Sequence, residues 1–223
     1  MAKLTSSQDV YNSLREMIMN FELYPGSRVT ESELAELFNV SRTPIRSAVQ
    51  RLETEGYMTV LPKQGCFIRN IEIGELMQYY QVRKTLENTA LELACTFMSD
   101  ADLRILSDEW DPAKFMDRSD NADEMESRDE SFHIALAVGG GNTVLTNYLI
   151  DLNRNIRVIR RIDFTNNPGI DRTYNEHYEI CQHLLKRDLV SAQRSMLQHI
   201  NKSENFAKTL TLSQLAKSRK RKK

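Results

Sequence analysis

Between Thr30 and Gly56 the chain carries start and stop signals for two short helices joined by a tight Asn39-Val40 connection, and this restricts the fold more than any other feature. Thr30-x-x-Glu33 has the spacing of a capping box, in which the threonine hydroxyl accepts from the amide three residues on and the glutamate reaches back to the cap amide. Leu34, Leu37 and Phe38 then supply the buried side of the first helix. Ser41 stands where it can cap the second, whose first turn holds Pro44, a position at which a missing N–H costs nothing. Ile45, Ala48, Val49 and Leu52 share one face of that helix, which turns Arg42, Thr43, Arg46, Ser47 and Gln50 outward. Gly56 is a natural stop. Cationic and hydroxylic side chains at the start of the second of two such helices form the pattern of a helix-turn-helix that reads the major groove.

The flanks extend this unit. Val10, Leu14, Met17, Ile18 and Phe21 recur at helical spacing, and Tyr24-Pro25-Gly26 ends the helix they define. Tyr57 to Leu61 and Cys66 to Arg69 read as two strands around Pro62-Lys63-Gln64-Gly65, a hairpin wing with a basic tip. The net charge of −1 argues at first against a nucleic-acid partner. Its distribution changes the picture: residues 1–70 carry 8 basic and 8 acidic side chains, residues 71–216 carry 16 and 23, and residues 217–223 carry 6 and none. DNA binding by this chain therefore rests on local arrangement and not on a broadly basic domain.

Residues 10–70 resemble the winged-helix domain of GntR-type bacterial regulators through Pro25-Gly26, Glu33-Leu34-Ala35, Val40 to Arg46, Leu52-Glu53, Glu55-Gly56 and Gly65. The resemblance implies that Arg42 and Arg46 bond guanine edges or phosphates, that Ser41 and Thr43 bind the DNA backbone, and that Lys63, Gln64 and Gly65 form the wing contact. Ser47 departs from the acidic residue common in that family and bears on base preference. Taken alone, Arg42 and Arg46 also read as a solvated pair of like charges.

After a junction at Ile71 to Gly74 the strand signals vanish. Helical periodicity marks segments near 74–97, 100–110, 122–138, 143–164, 171–187 and 189–209, separated by Asp111-Pro112, Gly139-Gly140-Gly141-Asn142 and the turn signal Asn166-Asn167-Pro168-Gly169. Asp129 and His133, four apart, project from one helix face; with His177 and His199 on two later helices they offer one carboxylate and three imidazoles, a set suited to Zn, Ni, Mn or a similar divalent metal. A histidine in such a place also reads as a surface or satisfied interior residue, and His183, six after His177, faces elsewhere. Arg154, Arg157, Arg160 and Arg161 beside Leu145, Tyr148, Leu149, Leu152, Ile156 and Ile159 read as a solvated helix face, with one of them within reach of a ligand as the alternative.

Gln81-Val82-Arg83 with Glu87, Asp129 to His133, Gly141-Asn142, Glu176-His177 and His199-Ile200 are similar to the FCD effector domain of the FadR subgroup of these regulators. That resemblance implies that Asp129, His133, His177 and His199 ligate the metal and that Arg83 pairs with a small carboxylate effector. Arg83 also reads as a surface ion-pair former.

Length and composition fit this reading. The 223 residues suffice for two small domains, and no apolar run approaches the ~20 residues of a membrane span. Met1 to Gln8 lacks the apolar core of a signal peptide, so a cytoplasmic location without membrane association is expected. Cys66, Cys95 and Cys181 are odd in number without C-x-x-C spacing and read as reduced packing residues.

The expected fold is mainly α: a winged helix-turn-helix over residues 1–72, an all-helical FCD-like bundle over 73–210, and a basic disordered tail over 211–223, which is either solubilising or attracted to phosphate. The expected function is a homodimeric repressor on a palindromic double-stranded operator, its affinity controlled by a small organic acid at the metal. A metal-dependent hydrolase and a sensor of the metal itself are the alternatives.

Overall fold

The computed structural model of the protein describes residues 6–19, 22–70, 72–114, 119, 121–164 and 167–221, and divides the chain into two compact units, Met1–Glu72 and Ile73–Lys223. The first contains α1 (Ser7–Met19), β1 (Arg28–Val29), α2 (Glu31–Phe38), α3 (Arg42–Thr54), β2 (Met58–Leu61) and β3 (Gly65–Ile68). The strands form an antiparallel sheet in the order β1-β3-β2, with Val60 opposite Cys66 and Arg28 opposite Phe67. The two-residue β1 was invisible to periodicity, because two residues cannot show alternation.

The connection between α2 and α3 follows from capping chemistry. Thr30 and Glu33 form both halves of the capping box, with the Glu33 amide donating to Thr30 Oγ1 at 3.2 Å and the Thr30 amide donating to the Glu33 carboxylate at 2.7 Å. Asn39 ends α2 in the left-handed region, φ 52° and ψ 48°, which asparagine tolerates better than most residues. Ser41 occupies the N-cap of α3, yet its side chain makes no capping hydrogen bond. Val10, Leu14 and Ile18 of α1, Leu34 of α2 and Ile45, Val49 and Leu52 of α3 are buried, with α1 and α2 both packing on α3. Leu37, expected on the buried side of α2, is exposed, and Phe21 lies outside the described residues.

The second unit is a bundle of α4 (Ile73–Phe97), α5 (Asp100–Glu109), α6 (Ala122–Gly139), α7 (Thr143–Asp163), α8 (Asn167–Leu185) and α9 (Leu189–Arg221). The 25-residue α4 packs against α6, α7, α8 and α9, and α5 packs on α8. The expected Asn166 to Gly169 turn is shorter than its composition suggests. Asn167, Pro168 and Gly169 already form the first turn of α8, where proline is compatible with helix, and Asn166 lies outside the described residues. The backbone of α9 is helical through Arg221, across most of the segment expected to be disordered; Lys222 and Lys223 lie outside the described residues. Tyr148, expected among the apolar series of α7, is exposed. No helix among the described residues is long and apolar enough to cross a membrane. Cys66 and Cys181 are buried, Cys95 is half-buried, and none of the three is disulfide-bonded.

The loop between α6 and α7 ties these helices to α4. Asn142 caps α7 by accepting from the Leu145 amide at 3.0 Å, and Gly140 lets the end of α6 approach α4 so closely that a Cβ there would stand 2.7 Å from Leu93 Cβ and 3.3 Å from the Ala94 nitrogen. Gly140→Ala should therefore lower stability by about 1–3 kcal/mol, as overpacked substitutions do, measured by denaturant unfolding; an unchanged midpoint would show that α4 and α6 separate freely.

Candidate metal centre and nucleic-acid interface

The buried stripe of α4 is Leu76, Tyr80, Arg83, Glu87, Ala90, Leu91 and Ala94, and that of α6 is Met125, Glu126, Asp129, Phe132, His133, Leu136 and Ala137. Both interrupt an apolar helical pattern with ionisable residues. The same holds for Arg160 and Asp163 in α7, with the polar Asn153 beside them, for Glu176 and His177 in α8, and for His199 in α9. Burying such groups is costly unless they are paired, so the bundle must bring them together.

It does so around Asp129. Asp129, His133, His177 and His199 are all buried and each offers a ligand atom, the set lying within 4.8 Å of one another. Asp129 Oδ1 faces three imidazole nitrogens: His177 Nε2 at 3.3 Å, His133 Nε2 at 3.8 Å and His199 Nε2 at 3.9 Å. Arg160 grips the opposite oxygen, Oδ2, through Nη2 and through Nε at 3.0 Å, while its Nη1 donates to Asn153 Oδ1 at 3.0 Å.

Carboxylates behind the imidazoles set their tautomers. His133 Nδ1 lies 2.9 Å from the Glu87 carboxylate and His199 Nδ1 lies 2.7 Å from Glu176 Oε2, so each ring donates outward through Nδ1 and turns its Nε2 acceptor inward. His177 is placed by packing instead. Its ring stacks on Phe132 at 3.7 Å between centroids and meets the edge of Trp110 at 4.3 Å, and neither ring nitrogen has a hydrogen-bond partner.

Arg83 donates through Nη2 to His133 Nε2 at 2.8 Å and through Nε to Glu87 Oε1 at 3.1 Å. It is fully buried, which excludes the surface ion-pair reading. His183 stands apart, with Glu179 at 3.7 Å.

The residues fit a divalent metal. Asp129 Oδ1 and both nitrogens of His177 are buried without hydrogen-bond partners, an uncompensated cost in a protein interior. Nitrogen and oxygen ligands lie about 2.0–2.2 Å from a Zn-class ion, so two ligands of one ion stand no more than about 4.4 Å apart. The carboxylate–imidazole distances meet that condition, and the 4.8 Å span of the whole set exceeds it by a few tenths of an ångström, so the imidazoles draw together slightly on binding.

The protonation states suit ligation as well. Burial, aided by nearby His199, holds His177 well below the usual imidazole range and so neutral, and burial lowers His199 despite Glu176 and Asp129. Burial would raise Asp129 and Glu87, but Arg160 and the histidines keep Asp129 ionised, and His133 with Arg83 holds Glu87 at about 2.

The four arginines of α7 do not form one solvated face. Arg160 and Arg161 are buried, Arg161 pairing with Asp123; Arg157 reaches Glu130 at 2.7 Å, and only Arg154, paired with Asp151, is exposed. Sequence reasoning missed Arg160 as the brace of Asp129, and it missed Glu176, Phe132 and Trp110 as supports. The available signal was an arginine four residues after Ile156 and one after Ile159, inside an apolar stripe.

In the first unit, Arg42, Thr43 and Arg46 line a shallow recess of about 260 Å³ with Ser47 and Gln50. All five are exposed on the outward face of α3, and Ser41 is exposed just before them. Lys63 and Gln64 are exposed at the tip of the β2-β3 hairpin. Gly65 begins β3 at φ 110°, and a Cβ there would press to 3.0 Å on the Val29 carbonyl oxygen, so the glycine is required by the pairing of β1 with β3.

Comparison with known proteins agrees with both halves of this geometry. Residues 6–68 match the family of bacterial regulatory proteins, gntR family, and residues 78–202 match the FCD domain. The Nta operon transcriptional regulator of Aminobacter aminovorans is 33% identical over 83% of this chain and 87% of its own length. The HTH-type transcriptional repressor RspR of Escherichia coli is 23% identical over 87% and 85%. The solved structure of Lar, which controls expression of the Listeria monocytogenes agr system, shares the fold with a TM-score of 0.69 at 19% identity, over 93% of this chain and 98% of its own.

The buried imidazoles give a pH signature. An imidazole whose folded pKa lies below its unfolded value of about 6.5 is protonated first in the unfolded chain, so stability falls as pH drops below about 6.5. Glu126, pushed up to about 7 from 4.5 by burial, acts in the opposite sense over that interval, so the comparison must isolate one histidine. In metal-free protein, wild type should lose stability relative to His177→Gln as pH falls from about 7 to 5. Parallel pH profiles from denaturant unfolding would contradict a neutral buried His177.

Proposed function

This chain belongs to the GntR family of bacterial regulators and carries an FCD domain, which makes it a DNA-binding transcriptional regulator and not an enzyme, and from that premise we propose that it is a homodimeric repressor controlled by a small organic acid at a divalent metal. Asp129 Oδ1 and the Nε2 atoms of His133, His177 and His199 would hold the metal. The convergence of these four buried groups, with a carboxylate behind each of two imidazoles, is the observation that carries the reading.

When bound, the metal supplies Lewis-acid coordination positions for a carboxylate. Donors of one oxygen and three nitrogens suit Zn, Ni or Mn. Arg83 completes the ligand site: its Nε edge is fixed on Glu87, and the Nη2 group that donates to His133 Nε2 becomes available to an anion once that lone pair ligates. A carboxylate bound differently in two states of the protein shifts the population competent for DNA, and coupling of ~1–3 kcal/mol changes operator affinity about 5- to 150-fold.

On the DNA side, Arg42 and Arg46 bond guanine edges or phosphates from the major groove, Ser41 and Thr43 bind the DNA backbone, and Lys63, Gln64 and Gly65 form the wing contact. A single short helix and wing reads few bases, so a two-fold dimer on a palindromic operator supplies the specificity. Repression is the sign carried by the related Escherichia coli protein's name.

The contact of Arg83 with His133 Nε2 favours a second reading, in which the ion alone is the effector, because ligation necessarily replaces that buried hydrogen bond. Both are tested with DNA fragments selected from the genome by the purified protein, titrated with and without chelator and with a panel of mono- and dicarboxylates. An acid effect that needs the metal and is lost in Arg83→Ala supports the first reading; a chelator effect without acid supports the second. His177→Gln with His199→Ala, which spares the Asp129–Arg160 pair, should abolish metal content by elemental analysis while leaving selected DNA bound. Full metal content in that variant would contradict the site.

A further inference from the structure

Glu31 is the first residue of α2, but the capping box is built by Thr30 and Glu33 and leaves the Glu31 carboxylate free to reach across to α3. It meets Arg46 along one edge of the guanidinium, with Arg46 Nε 3.3 Å from Glu31 Oε1 and Nη2 3.1 Å from Oε2. Arg46 stays 63% exposed in this pairing and Glu31 28%. Among the described residues, Arg42, one turn earlier on the same face, has no carboxylate partner.

A guanidinium carries five N–H groups. A carboxylate on the Nε and Nη2 edge uses two of them, leaving both hydrogens of Nη1 and one of Nη2 at the tip. That free end is the fork that matches O6 and N7 of guanine in the major groove. The same carboxylate keeps a negative charge within a few ångströms of the tip, inside the ~8 Å screening length of physiological salt, where it repels a phosphate oxygen competing for the fork.

We propose that Glu31 is a positioning residue that commits Arg46 to reading a guanine edge and withholds it from phosphate, so that sequence discrimination by α3 depends on a residue outside α3. The proposal rests on the reading of α3 as the groove-contacting helix. Burial of Leu34 in α2 and Ile45 in α3 fixes the two helices together and so fixes the reach between Glu31 and Arg46. The pair also relieves the unfavourable relation of Arg42 and Arg46, two like charges four residues apart.

The experiment uses the full chain and two duplexes of equal length: the genomic fragment it selects most tightly and a scrambled version of that fragment. Dissociation constants are measured from about 50 to 200 mM salt for wild type, Glu31→Gln, Arg46→Ala and the double variant. Glu31→Gln should bind the scrambled duplex more tightly and with a steeper salt dependence, and should lower the ratio of selected to scrambled affinity about tenfold. In the Arg46→Ala background the same substitution should leave the ratio unchanged. An unchanged ratio in Glu31→Gln, an equal loss on both duplexes, or the same loss without Arg46 would overturn the proposal. Unchanged binding of the selected fragment by Arg46→Ala would instead overturn the underlying assignment of Arg46 to DNA.

Discussion

The helical unit depends on one buried ion pair, that of Arg160 with Asp129. A carboxylate taken out of water is expensive, and an ion pair in a protein interior repays the cost only when geometry and further hydrogen bonds satisfy both partners. Here Arg160 holds Oδ2 with two N–H groups and is itself anchored by Asn153, so α6 and α7 are fixed at the level of the site. The brace also orients Oδ1, turning it away from Arg160 and toward the three Nε2 atoms. Loss of Arg160 would leave an unpaired buried charge, which in other proteins costs about 3–5 kcal/mol.

Around that pair the polar groups form a ring of mutual dependence. Glu87 is held ionised by His133 and Arg83, and it in return fixes the tautomer of His133. Glu176 does the same for His199 and is itself held by Lys202 at 2.6 Å. Among the described residues, Asp129 Oδ1 and both nitrogens of His177, whose ring is positioned by Phe132 and Trp110, stand among the buried polar atoms without a hydrogen bond, as do Trp110 Nε1 and Asn153 Nδ2 beside the same cluster. Of these, Asp129 Oδ1 and His177 Nε2 face each other at 3.3 Å with two further imidazoles beside them, so ligand-type atoms with unmet demand meet at the centre of the cluster. That is the chemical logic of a metal centre whose ligands are arranged in advance.

The sequence carried most of the helix boundaries, because capping residues and 3.6 periodicity are local. Thr30-x-x-Glu33 appears in the structure with both hydrogen bonds, and Asn142 caps α7. Strand β1 was not legible, since it exists only through its pairing with β3, and the start of α8 was obscured because Asn, Pro and Gly signal turns yet also suit a first helical turn. At the site, Asp129 and His133 could be placed together by their spacing, whereas convergence of His177 and His199 on them required α6, α8 and α9 to pack. The outer partners were the least legible. Arg160 resembles its neighbours Arg154, Arg157 and Arg161 in composition, and only the bundle distinguishes the one that reaches Asp129.

The same contrast separates the two units' chemistry. In the first, charge works at the surface, where Arg46 remains exposed even while paired with Glu31; in the second, it works in the interior, where desolvation makes every unpaired group costly. The central claim is that Asp129 and three imidazoles close on one ion, and X-ray absorption at the metal edge of the full chain loaded with Zn(II) tests it most directly. The expected spectrum has a nitrogen and oxygen first shell at about 2.0–2.2 Å with the outer-shell scattering of three imidazoles, reduced to two in His199→Ala. A sulfur shell, or a spectrum without imidazole scattering, would contradict it.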